Sequence, residues 1–104
     1  MNIIAIEHLV KDAIIKKYKL AIVVVSTPID SENFLDNLRE YNQFFFDTHE
    51  AINSECMDAI LSNNMAESSL GCHVLDKYFN LFRKPRTPAE ELASELCMKH
   101  IKEL

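Results

Sequence analysis

From Phe34 to Ile60 the apolar and small residues return every three or four positions. Phe34, Leu38, Tyr41, Phe45, Thr48, Ile52, Cys56 and Ala59 fall in one narrow stripe at the helical period. The stripe keeps its phase through Asp47-Thr48, so the pattern predicts one long helix, ~45 Å for about thirty residues. Phe44 and Phe46 flank the stripe on opposite sides. A helix apolar over that much of its circumference needs neighbours on several sides.

The flanking segments follow the same period. Ile3, Ile6, Leu9, Val10, Ala13 and Ile14 share one face of a first helix. Lys17 would fall in the middle of that face, which predicts a slip of phase near Lys17–Lys19. The run Leu20–Ser26 is β-branched enough for a strand, but nothing else in the chain would pair with it. A buried helical continuation is the expectation; a strand would require a second copy of the chain. Thr27-Pro28 has the form of a helix cap and first turn, and predicts the start of the central helix.

Farther on, Ser62-Asn63-Asn64 ends the central helix and Asn64 caps the next. There Leu70, Val74, Leu75, Tyr78, Leu81 and Phe82 form one side, with Gly71 placed for close helix approach. Thr87-Pro88-Ala89-Glu90 predicts a last helix with Leu92, Ala93, Leu96, Cys97, His100 and Leu104 on one face. The expected fold is all-α: a single domain over residues 1–104, built as a small four- to five-helix bundle around one long central helix.

Composition supports this picture. The 104 residues are 48% hydrophobic and 26% charged, ordinary for a globular domain, and one glycine with three prolines leaves little for hairpin turns. The net charge of −5 does not favour wholesale binding of nucleic acid. No leader pattern and no run long enough to cross a bilayer is visible, and three cysteines read as reduced thiols. A cytoplasmic protein that does not enter a membrane is expected.

Candidate chemistry changes little. Cys72 and His73 are adjacent and would point about 100° apart on a helix, which is wrong for a nucleophile and its base. Gly71 is the single glycine, so no phosphate-cradling loop exists. Cys97 and His100 could reach one metal ion, but no paired ligand spacing completes a site. No catalytic residue, metal or cofactor is therefore expected. Ala89–Leu96 resembles the first helix of helix-turn-helix modules, but no recognition helix follows it before Leu104.

The remaining signal is apolar excess. Tyr41, Phe44, Phe45 and Phe46, together with the 20–25 run, exceed what so small a bundle must hide, and aromatics anchor interfaces. The expectation is a non-enzymatic regulator or inhibitor that binds another protein as a homodimer. The alternative is a nucleic-acid-associated regulator using two basic clusters. In these, Lys16, Lys17 and Lys19, with Arg83, Lys84 and Arg86, would contact an anionic partner.

Overall fold

The computed structural model describes residues 3–104, with side chains described from Ile6 onward. Helices α1 (Ile3–Ser26) and α2 (Phe34–Ile60) form a long antiparallel pair. Helix α3 (Met65–Val74) passes through a π-helical turn, Leu75–Phe79, into the short α4 (Asn80–Arg83). Helix α5 (Pro88–Lys99) and a 3₁₀ turn, Ile101–Glu103, complete the chain, and no strand occurs among the described residues. No described helix is long and apolar enough to cross a membrane.

The α3–α4 rod and α5 lie end to end along the α1–α2 pair, so the molecule measures 52 × 23 × 17 Å. Its radius of gyration, 15.5 Å, exceeds the ~13 Å of a compact chain of this length. So elongated a body does not gather one central core, and it has two. The first joins Ile6 and Val10 of α1 to Ile52 and Cys56 of α2 and to Val74, Phe79 and Phe82. The second joins Ala21 and Val24 to Phe34, Leu38 and Tyr41, with Ala93 and Leu96 of α5. Ile3, expected on the α1 apolar face, lies outside the residues whose side chains are described.

Between the two cores sits Lys17. The expected slip of phase does not occur; α1 runs unbroken to Ser26, and Lys17 turns inward with 1% of its surface exposed. Its ammonium donates to the carbonyls of Phe82 and, at 3.3 Å, Lys84. It pairs with the Glu90 carboxylate at 3.4 Å and faces the rings of Phe45 and Phe82. This environment suits a cation: it lies at the negative end of α4, beside an acid and against two aromatic faces. Burial holds the Lys17 pKa below the ordinary lysine value, and the neighbouring Glu90 offsets only part of that fall.

The 20–26 run is helical as expected but not buried throughout, since Ala21 and Val24 face the core while Ile22 and Val23 are exposed; α2 passes Asp47-Thr48 without a break. Thr27-Pro28, in contrast, does not start α2, which begins at Phe34. The Thr27 hydroxyl donates back to the Val23 carbonyl at 2.7 Å and accepts from Asn37, so it closes α1 instead. Residues 27–33 are turns, with Ser31 N–H bonded to the Pro28 carbonyl. A proline with a hydroxyl before it fits a helix stop as well as a start, and here the stop prevails.

The stripe expected on α3 also needs correction. Leu70 and Leu81 are exposed, while Gly71, Val74, Phe79 and Phe82 are buried. The step from Val74 to Phe79 is five residues, and the π turn supplies the extra residue that keeps both on one face. The Asn80 side chain donates to the Asp76 carbonyl at 2.7 Å beside this turn. Similarly, Leu9 and Leu92 face outward although they were expected inward. The caps at Asn64 and Thr87 form as expected, with Asn64 accepting from Ala66 and Glu67 and Thr87 from Glu90.

Gly71 does bring two helices together. A Cβ there would lie 3.0 Å from the Ala59 Cβ and 3.2 Å from the Cys56 carbonyl oxygen. Alanine favours a helix interior by about 1 kcal/mol, but overpacking against backbone costs about 1–3 kcal/mol. Gly71→Ala is therefore expected to destabilise the domain by about 1 kcal/mol in urea titration. A stabilised variant would show that α3 can move off α2 freely.

Candidate functional site

The three phenylalanines of α2 part company because successive residues leave a helix about 100° apart. Phe44 turns towards α1, where the Lys16 ammonium lies 4.9 Å from its ring centre and Phe82 meets it edge-on. Phe45 stacks on Phe82 with centroids 5.6 Å apart and touches Phe46 edge-on at 5.3 Å. Phe46 points outward and is 58% exposed. One turn earlier, Tyr41 is buried in the second core.

Tyr41, Phe45 and Phe46 form one wall of a groove of about 190 Å³. Its other wall comes from α5 and the 3₁₀ turn, through Ser94, Cys97, Met98 and Ile101, and Arg83 stands at the rim. Met98 is 77% exposed and Ile101 55%. Of the four aromatics expected to bind a partner, three therefore share this groove. Phe44 instead borders a shallow hollow of about 500 Å³ whose walls include Lys16, Asp36, Arg39 and Glu40. Arg39 and Asp36 already pair there at 3.1 Å.

Tyr41 carries the electrostatic oddity of the groove. It is 3% exposed, and its hydroxyl has no hydrogen-bond partner among the described residues. Burial holds its pKa up, to about 12, and the neighbouring Ser94 hydroxyl pulls the other way. Burial likewise pushes the Cys97 thiol up to about 11, which makes it a poor thiolate for a metal or an electrophile.

Set against models of known protein families, against curated proteins and against solved structures, the chain matches none. The site must therefore be read from its own residues.

Of the basic clusters, Lys17 is enclosed and unavailable to an external anion. Lys16 shares its hollow with Asp36, Glu40 and Asp47. Arg83 donates to Asn80 at 3.2 Å and leans over Phe79, on the groove side. Lys19, Lys84 and Arg86 are exposed, and Arg86 borders a small hollow with Tyr18. The clusters do meet in space, but through the buried Lys17 bonding the backbone of the other.

No group of three or more metal-ligating side chains occurs among the described residues. His100 contacts Glu103 at 2.7 Å through Nδ1 and packs edge-on against Phe34. Sequence reasoning missed Met98, Ile101 and Arg83 as groove residues. Met98 and Ile101 lie three apart, beside the stripe that α5 buries, and that offset pair was the available signal.

Proposed function

We propose that this chain is a non-enzymatic interaction module, a regulator or inhibitor that binds another protein and acts as a homodimer. The observation that carries this reading is the contiguous exposure of Phe46, Met98 and Ile101 around a groove. Aromatic and methionine side chains are enriched at interfaces, and a central apolar cavity is where anchors seat. The homodimer has its own candidate surface on α1, where Ile15, Tyr18, Ile22 and Val23 are exposed on the outer side. Three free thiols, two of them buried, suit a reducing cytoplasm.

The alternative, a nucleic-acid-associated regulator, draws on Lys19, Lys84 and Arg86 with Tyr18 nearby. The enclosure of Lys17 and the acids around Lys16 weigh against it, since phosphate affinity rises with the number of free cations.

Sedimentation and affinity capture test both halves. Wild type is expected to sediment as a dimer at micromolar concentration, and Ile22→Asp as a folded monomer. Phe46→Asp is expected to keep its helicity and its dimer but to lose, by a hundredfold or so, the partner that wild type captures. A monomeric wild type removes the dimer. Capture that survives Phe46→Asp removes the groove, and salt-sensitive capture of nucleic acid, abolished by Lys84→Ala with Arg86→Ala, installs the alternative.

A further inference from the structure

Helix α2 carries the charge of the whole chain. Its six acids, Asp36, Glu40, Asp47, Glu50, Glu55 and Asp58, stand against Arg39 alone and leave −5, the formal charge of all 104 residues. At the helical period the six fall on one side of α2, away from its buried stripe. The stability of the helix does not call for this pattern, since a solvated helix face ordinarily mixes signs. Asp36 and Glu40, Asp47 and Glu50, and Glu55 and Asp58 are like-charged neighbours three or four residues apart, and such pairs repel. The last turn holds no base, so Asp58 sits unopposed at the negative end of the dipole. The acid stripe weakens its own helix, and a cation laid beside it would relieve that repulsion.

Along the same side of α2 runs the hollow of about 500 Å³ against α1. A second hollow, of about 240 Å³, continues it and shares Lys16, Phe44 and Thr48. The floor of this trough is apolar, through Leu9, Ala13, Leu20 and the Phe44 ring. At its rim Asp12, Asp36, Glu40 and Asp47 outnumber Lys16 and Arg39. Arg39 is taken by Asp36, and Lys16 lies over Phe44. Asp12, Glu40 and Asp47 thus have no ion-pair partner among the described residues, and Asp47 accepts only from Gln43, at 3.3 Å.

We propose that this trough docks a basic amphipathic helix of a partner protein. Its apolar side would lie on Phe44, Leu20 and Leu9, and its lysines or arginines would meet Asp12, Glu40 and Asp47. From Leu9 to Leu20 the trough is ~16 Å long, about three turns of helix. The surface lies on the other flank of α2 from Phe46 and goes beyond the interaction reading above. A second copy of the chain fits less well, because a two-fold contact would press the acid excess of one trough on that of the other.

The probe is a leucine–lysine peptide of about eighteen residues at helical spacing, long enough to fold on contact. It is titrated into the isotopically labelled full chain and followed by NMR. It is expected to shift Leu9, Leu20 and Phe44 and to bind roughly tenfold more tightly than the same residues in scrambled order. Glu40→Gln with Asp47→Asn is expected to keep the fold and to weaken binding roughly tenfold. Glu91→Gln with Glu95→Gln removes the same charge from exposed positions of α5 and is expected to weaken it less than about twofold. Equal losses from the two pairs reduce the effect to net charge and overturn the proposal. So do equal affinity for the scrambled peptide and shifts that fall outside the trough. Self-association that competes with the peptide and is lost in Glu40→Gln with Asp47→Asn makes the second copy the occupant and likewise overturns it. Phe46→Asp is expected to leave peptide binding unchanged, so either reading can fail while the other stands.

Discussion

Replacing Lys17 by methionine is expected to destabilise the domain by about 3–5 kcal/mol, the usual effect of removing one partner from a buried ion pair. Methionine keeps the unbranched stem but lacks the terminal nitrogen, so it removes the charge together with its donors. Glu90, itself 3% exposed, would keep only the Thr87 hydroxyl on its carboxylate, and the Phe82 and Lys84 carbonyls would lose their shared donor. For a domain whose total stability is about 5–15 kcal/mol, that is a large share, and the melting temperature should fall by well over 10 °C. Adding Glu90→Gln to Lys17→Met should recover most of the loss, because glutamine retains the cap on Thr87 and is neutral. Urea titration of the four members of the cycle decides it. A Lys17→Met variant within about 1 kcal/mol of wild type would mean the ammonium is not the hub of this junction.

Alkaline pH is expected to loosen the second core. The Tyr41 pKa rises from 10.0 to about 12 and the Cys97 pKa from 9.0 to about 11, in both cases first through burial. Each group therefore holds its proton more firmly in the folded chain than in the unfolded one. Its contribution is fully present below the unfolded pKa and is lost as pH climbs through the folded one. The windows run from pH 9 to about 11 for Cys97 and from pH 10 to about 12 for Tyr41. Each group contributes up to roughly 2–3 kcal/mol. Lys17, lowered by burial, has the opposite sign and blunts the early part of the fall. Melting temperatures measured every half unit from pH 8 to 12 should drop most steeply above pH 10. Tyr41→Phe should flatten that drop and, by removing an unbonded buried hydroxyl, gain about 1 kcal/mol at pH 7. Parallel curves for wild type and Tyr41→Phe would show that the phenol does not govern the alkaline limit.

Much of the architecture was legible in the chain. The long stripe of α2, the helical fate of 20–26, the caps at Asn64 and Thr87 and the close approach at Gly71 all follow from local period and local chemistry. Three expectations failed, one for a long-range reason and two for local ones. Lys17 read as an interruption because a charge in an apolar stripe is ordinarily exposed, and its partner Glu90 lies far along the chain. The α3 stripe failed because a single π turn changes the period inside what looks like one helix. Thr27-Pro28 failed because its hydroxyl can bond backward as readily as forward. At the groove, the aromatic triplet was visible, but its division was not. Only the positions of α1 and α5 decide that Phe44 packs inward while Phe46 stays wet.

The long body has a cross-section of only 23 × 17 Å. The α3–α4 rod and α5 each touch both α1 and α2, so none of the helices lies at the centre. No rod is sheathed all round, and each keeps a flank in water along its length. Every helix is therefore covered on its inner side and open on its outer one. A partner laid along an outer flank would leave the packing between the rods in place.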